Sequence, residues 1–216
     1  MRKEKTKEIF IKAFWVFIIG SFIGCIVEMI VCLVQKGHFE LRQGVIYGPF
    51  LPVYGIGAVV YFFTIPKIKG TGKVFLASMI LGGVTEYLFS YFQERWFGTV
   101  SWDYSHLWFN VNGRTSLLHC LYWGGAGILF VKLVYPFLNR LIDKFKTRET
   151  FRYVTAAFVI FMFFNMCISS VAANRQYERM QNIAATTSLD QLMDQYYPDY
   201  LLNTIYSNKI VKMSIK

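Results

Sequence analysis

Acidic side chains are scarce in this chain. Asp and Glu total 13 against 23 Lys and Arg, and charged residues together make up only 17%, well short of the roughly 25% usual in a soluble domain. A surface that poor in charge excludes a free soluble domain. Disorder is excluded as well, because a chain with 55% hydrophobic residues has ample apolar surface to offset the entropy of ordering. Cysteine is sparse too. Cys25, Cys32, Cys120 and Cys167 form no C-x-x-C pair, and all fall in apolar stretches, so they read as small packing residues rather than a zinc site or a disulfide. There is no G-x-x-x-x-G-K-[ST] loop, so the chain is not itself an ATPase, and no G-x-S-x-G elbow. Neither H-x-x-x-H nor H-E-x-x-H occurs, so His119 with Glu86 and Asp103 does not make a metal site, and no cofactor is expected.

What is present is length without charge. Five apolar runs, at 13–34, 47–65, 74–92, 116–137 and 153–173, approach the ~20 residues a helix needs to cross a bilayer. The fold class expected is all-α, a polytopic membrane helix bundle of five transmembrane helices. Its domains are a transmembrane unit over 1–173 and a tail over 174–216. The charged N-terminus followed by an overlong apolar run containing Glu28 reads as a retained anchor, not a cleaved signal. The net charge of +10 is a topology signal rather than a nucleic-acid surface, because the basic residues sit between apolar blocks. They crowd the N-terminus, the 66–73 connection and the 138–152 connection. The first and third connections hold only Lys36, Arg42, Arg95 and Arg114. The positive-inside rule then places the N-terminus in the cytoplasm and the tail outside the cell membrane. In the tail, Ser188 with Gln191 resembles a capping box, Pro198 suits a helix start, and Tyr196, Tyr197, Tyr200 and Tyr206 read as interfacial anchors on the outer surface.

The first and third runs share a frame. Gly20, Gly24, Glu28 and Cys32 recur every four residues, as do Ser78, Gly82, Glu86 and Ser90, so each set lies on one helix face. The second and fourth runs match as well, from Gly44 to Tyr54-Gly55 and from Gly113 to Trp123-Gly124. A 2+2 internal repeat of parallel copies is expected. A carboxylate inside an apolar span costs roughly 2.5 kcal/mol or more, so such residues mark function or an interhelical lock. Counted along the helix, Glu28 and Glu86 lie about 22 and 18 Å into their spans, in the outer half of a core about 30 Å thick. The candidate substrate-binding set is Glu28, Arg42, Glu86, Asp103, Asn110 and Arg114. Each arginine either pairs with a glutamate or holds an anionic group bidentately. Asp103-Tyr104-Ser105 and Asn112-Gly113 also suit local turns, Trp96, Trp102 and Trp108 read as interface anchors, and Glu94-Arg95 reads as a surface pair. Asn165, Ser169 and Asn174 form a polar stripe on the last run.

Small-x-x-x-Glu in the first run, RQGVIYGPFLPVYGIGA at 42–58, and TEYLFS, WFGTVSWDYS and FNVNGR within 85–114 resemble the bacterial ABC-transporter type IV permease family over about 13–135. Two details depart from its pattern: Ser101 precedes Trp102 where a second Trp is usual, and Leu107-Trp108-Phe109 lacks the usual Pro. The resemblance implies a multi-pass membrane permease subunit partnered by a separate ATPase, with a homo-oligomer left open. Two alternatives remain beside it. One is a membrane-embedded enzyme acting on a lipid or polyprenyl head group, with Glu86 or Asp103 as base. The other is a scaffold or sensor working through the tail.

Overall fold

The computed structural model describes residues 2–212; Met1 and the last four tail residues, 213–216, lie outside them. The chain is mostly helical, in the order α1 (Arg2–Lys36), α2 (Pro52–Thr64), α3 (Thr71–Phe97), α4 (Leu117–Leu129), α5 (Tyr135–Phe145), α6 (Glu149–Met180), α7 (Ser188–Tyr196) and α8 (Asp199–Ile205). Four two-residue strands, β1 (Thr99–Val100), β2 (Asn110–Val111), β3 (Thr115–Ser116) and β4 (Ile210–Val211), form two small antiparallel pairs, β1 with β4 and β2 with β3. Among the described residues, four helical stretches are long and apolar enough to cross a membrane: Glu4–Lys36, Thr71–Phe97, Leu117–Phe145 and Glu149–Met180.

The second apolar run departs from expectation. It forms a helix only over the 13 residues of α2, about 20 Å long, against a hydrocarbon core of about 30 Å. Gly44, Gly48, Pro49 and Pro52 explain this. Gly48 takes a left-handed φ of 82°, and Pro49 would break a helix ladder in mid-turn. Pro52 sits at the first turn of α2, where its missing N–H costs nothing. The stretch ahead of α2 is therefore irregular yet buried, with Val45, Ile46, Phe50 and Leu51 all under 10% exposed. Its backbone is satisfied from neighbours. Leu51 N–H donates to the Ser21 carbonyl at 2.9 Å. Ile46 N–H donates to Ser169 Oγ at 2.9 Å, and Tyr47 exchanges bonds of 3.1 and 2.7 Å with the Asn165 amide. Asn165 and Ser169 of the α6 polar stripe thus serve irregular backbone rather than a neighbouring helix, whereas Asn174 donates to Glu178 of its own helix at 2.8 Å. Such backbone is tolerated beside apolar helices only when protein covers it.

The fourth run continues past its expected end. α4 and α5 join through a π turn at Phe130–Val134, with the Tyr135 N–H reaching back to the Phe130 carbonyl. Pro136 lacks an N–H and its ring crowds the preceding turn, which a locally widened helix relieves.

Two antiparallel helix pairs make the body. α1 packs on α2, where Gly20 meets Ala58 and Gly24 meets the Tyr54 ring; α3 packs on α4, where Gly82 meets the Trp123 ring and Ser78 meets Gly127. A Cβ on Gly24 or Gly82 would overlap those rings, so glycine is what permits the close approach. Trp123 links the pairs, packing against Tyr54 and Tyr61 of α2. α6 lies beside α1, where Trp15 Nε1 donates to Thr155 Oγ1 at 3.0 Å and stacks on Phe151. At the end of the bundle that carries the N-terminus, Lys12 and Lys146 bind Glu8 and Asp143 at 2.8–3.4 Å.

The tail closes the opposite end. Arg175 holds Asp194 through two bonds of 2.9 and 3.0 Å, and Arg179 binds Asp194 and Asp199. Leu202, Met193 and Ile205 bury against Ala172 and Ile46. The tail's apolar face therefore docks on protein. Only Tyr196 and Tyr200 of the four tyrosines face outward, at 60% and 77% exposed. Tyr197 meets Tyr47 hydroxyl to hydroxyl at 2.7 Å, and Tyr206 forms a β-bridge with Arg42. The capping box is one residue earlier than expected: Thr187 caps α7 and Asp190 reciprocates. β4 then pairs with β1, and Lys212 reaches Asp103. The tail is thus a strap across both connections at this capped end.

Candidate functional site

Glu28 and Glu86 enter one polar cluster at the capped end, each from a different long helix. Glu28 on α1 accepts from the Tyr54 hydroxyl at 2.5 Å, and Arg42 Nη1 stands 3.7 Å from its other oxygen. Arg42 reaches this position because the irregular stretch after α1 turns back beside the helix; its carbonyl accepts from Cys25 Sγ at 3.5 Å. The same guanidinium lies 3.5 Å from Glu40. Arg42 Nε is buried without an acceptor among the described residues. Glu40, which no sequence pattern singled out, gathers Lys36, His38, Arg42 and Cys32 around one carboxylate. Lys36 foremost, and then His38, hold it down at about 2.

Glu86 on α3 is 6% exposed and has no cation within 4 Å among the described residues. Neutral donors surround it instead. Thr115 Oγ1 donates at 2.7 Å and the Tyr104 hydroxyl at 3.2 Å. Thr115 is delivered by the β2–β3 hairpin, whose turn places Asn112 and Gly113 at φ of 53° and 67°. Asn-Gly favours this left-handed pair. Tyr104 is fixed by stacking on His119 at 3.7 Å between ring centroids and by the Trp102 ring behind it. Burial, and then the Glu86 charge, push its phenol well above the ordinary tyrosine range, so it stays a donor. The two sets adjoin where the Tyr54 ring, whose hydroxyl binds Glu28, packs on Trp123, 5.4 Å between ring centroids.

The other candidates lie elsewhere in the capped end. Arg114 pairs with Glu94 at 2.6 Å, contacts Ser90 at 3.3 Å and lies over the Tyr87 and Tyr91 rings; it does not pair with Glu86, and Glu94 pairs with it rather than with Arg95. Asp103 takes the N–H and hydroxyl of Ser105 and the Lys212 ammonium, and Lys212 first holds it well below the usual carboxylate range. Asn110 bonds the Leu107 carbonyl and the Gly113 N–H. Both are turn formers here. Of the three tryptophans read as anchors, Trp96 and Trp108 are exposed, while Trp102 packs inward on Phe89 and donates to the Arg114 carbonyl. His119 bonds Ser116, and no metal-holding group of three ligands occurs among the described residues. Sequence reasoning missed Tyr54, Tyr104 and Thr115 as partners, and Trp123 as the ring that packs on Tyr54. The one available signal was that Tyr54 and Trp123 hold the same place in the repeated frame.

With this geometry in view, the chain can be set beside known families. The family described as "Putative ABC-transporter type IV" matches residues 15–170. The chain belongs to that family. The match runs past residue 135, through α4, α5 and most of α6, and stops short of the tail strap. No curated protein and no solved structure matches the chain. Family membership and four helices able to cross a bilayer make this an ABC-transporter-related membrane protein.

Proposed function

We propose that this family member is the membrane subunit of a transporter, a permease of the cell membrane. Its polar transport site is the cluster of Glu28, Arg42 and Glu86, and its energy comes from a separate ATPase. The observation that carries this reading is that two carboxylates from long apolar helices, Glu28 and Glu86, each turn to a side-chain hydroxyl at the same end of the bundle, beside a guanidinium with an unused buried N–H. Ionisable groups that face a bundle interior mark paths for ions and polar solutes. Asp103, Asn110 and Arg114 shape the lid over the site.

In this reading the chain passes the membrane five times, the second pass made by the irregular stretch and α2 together. The basic end is cytoplasmic and the strap of 174–216 extracytoplasmic, closing a transmembrane unit of 1–173. A broken second pass is a familiar way to bring backbone to a transport site. Duplication is supported by equivalent contacts. Gly24 meets Tyr54 as Gly82 meets Trp123, Gly20 meets Ala58 as Ser78 meets Gly127, and Gly55 meets Phe17 as Gly124 meets Phe75.

The test begins with the tagged chain extracted from its own membranes. An ATP-hydrolysing subunit is expected to co-isolate, and the reconstituted pair to lose ATP-driven solute flux in Glu28→Gln plus Glu86→Gln while still assembling. A chain that isolates alone, in a strain whose transport profile the double variant leaves unchanged, rejects the proposal.

A further inference from the structure

A cavity of about 380 Å³ lies between the start of α2, the second half of α3, the middle of α6 and the tail strap. That is within the ~300–1,000 Å³ typical of small-molecule sites. It is separate from the polar cluster, since neither glutamate, nor Arg42, nor Tyr54 lines it. Its body is apolar, built from Leu51, Val53, Ile56, Phe89, Phe92 and Met166. Ile56, Phe92 and Met166 are about 40% exposed, and Trp96 beside them is 65% exposed. The gap between α3 and α6 therefore opens sideways, where these helices would face hydrocarbon.

Polar atoms gather at the other end, under the strap. Gln93 and Ser101 bond each other there, Asn208 donates to the Ser101 carbonyl, and Lys209 closes the end. Lys209 donates to Gln176 Oε1 and lies 5.4 Å from the Tyr206 ring centroid. It has no carboxylate within 4 Å among the described residues. Burial pulls its amine down to about 8; Asp199 of α8 opposes this and Arg179 of α6 adds to it. An ammonium held in that position without an anion is unfavourable, and a carboxylate or phosphate would relieve it.

We propose that this cavity binds an amphiphile with one apolar chain and an anionic head, the chain between α3 and α6 and the head on Lys209. The proposal stands apart from the transport reading, since binding is measured directly and without an ATPase.

Trp96 and Trp102 line the cavity, so bound bromine atoms will quench them. The full chain in phosphatidylcholine nanodiscs is titrated with dibromostearate, with dibrominated lysophosphatidic acid, and with the uncharged methyl ester of dibromostearate. Saturable quenching by at least one anionic probe is expected, and the tighter of the two identifies the head as carboxylate or phosphate. Lys209→Met should weaken that binding by about tenfold or more, Lys209→Arg should retain it, and Ser170→Phe should block the chain, all without lowering the melting temperature. Quenching that never saturates, that the methyl ester reproduces, or that Lys209→Met leaves unchanged overturns the proposal. If Lys209→Met fails to fold, the methyl ester and Ser170→Phe decide the matter in the same way.

Discussion

The two helix pairs start from one sequence frame and reach opposite electrostatic solutions. In the first, Glu28 keeps 29% of its side chain exposed and has a guanidinium 3.7 Å away. In the second, Glu86 is buried and has only neutral donors. The connections make the difference. The stretch after α1 folds back into the bundle and brings Arg42 down to Glu28. The loop after α3 forms a hairpin that presents Thr115 to Glu86, while Arg114 pairs with Glu94 instead. Similarly spaced helix faces thus fix where a carboxylate sits, and the following loop decides what solvates it.

The largest effects should come from the contact the two pairs share. Gly24→Ala and Gly82→Ala each force a methyl into an aromatic ring, and overpacking of this kind costs about 1–3 kcal/mol. Thermal unfolding in detergent should show comparable losses, and pairing Gly24→Ala with Tyr54→Ala should recover part of the first. If one glycine tolerates alanine, the packing is not equivalent.

Removing one donor from each carboxylate should separate the pairs. Thr115→Val leaves buried Glu86 short of a bond and should cost about 1–3 kcal/mol. Tyr54→Phe should cost less, about 0.5–1.5 kcal/mol, because part-exposed Glu28 can take water instead. The same unfolding assay checks the order, and a reversal would mean that exposure does not set the cost.

A smaller effect is expected at the ion pair. Arg42→Gln should change stability by about 0–1 kcal/mol, with a salt dependence absent from Thr115→Val. Melting curves at low and high ionic strength test this.

The smallest effect concerns the strap, which crosses both pairs. Lys212 depresses the Asp103 carboxyl, so the folded strap binds that proton less readily than the unfolded chain. Its contribution is present above the ordinary aspartate value near ~3.9 and fades as pH falls below that toward the lowered folded value. Amide exchange at β1 and β4 should quicken over that acid range, and Asp103→Asn should remove the dependence.

Much of the cluster was legible because helical spacing is strict. Four-residue recurrence placed Glu28 and Glu86 on packing faces, and hydropathy found the long helices. The loop chemistry was not legible. Nothing in the spacing of Arg114 distinguishes Glu86 from Glu94 as its partner, and nothing in the tail's composition says that Lys209 and Lys212 return to the bundle.

What the sequence by itself determined is the solvent this chain is built for, the helices that can cross it, the four-residue small-residue spacing of the first and third runs, and family membership. These follow from hydropathy and from the helical repeat, which are local. Only the tertiary structure decided that α6 serves the irregular backbone ahead of α2, that Tyr54, Tyr104 and Thr115 solvate the two glutamates, and that the tail closes one end of a cavity. Each depends on residues from 18 to 123 positions apart meeting in space, and no local periodicity encodes such meetings.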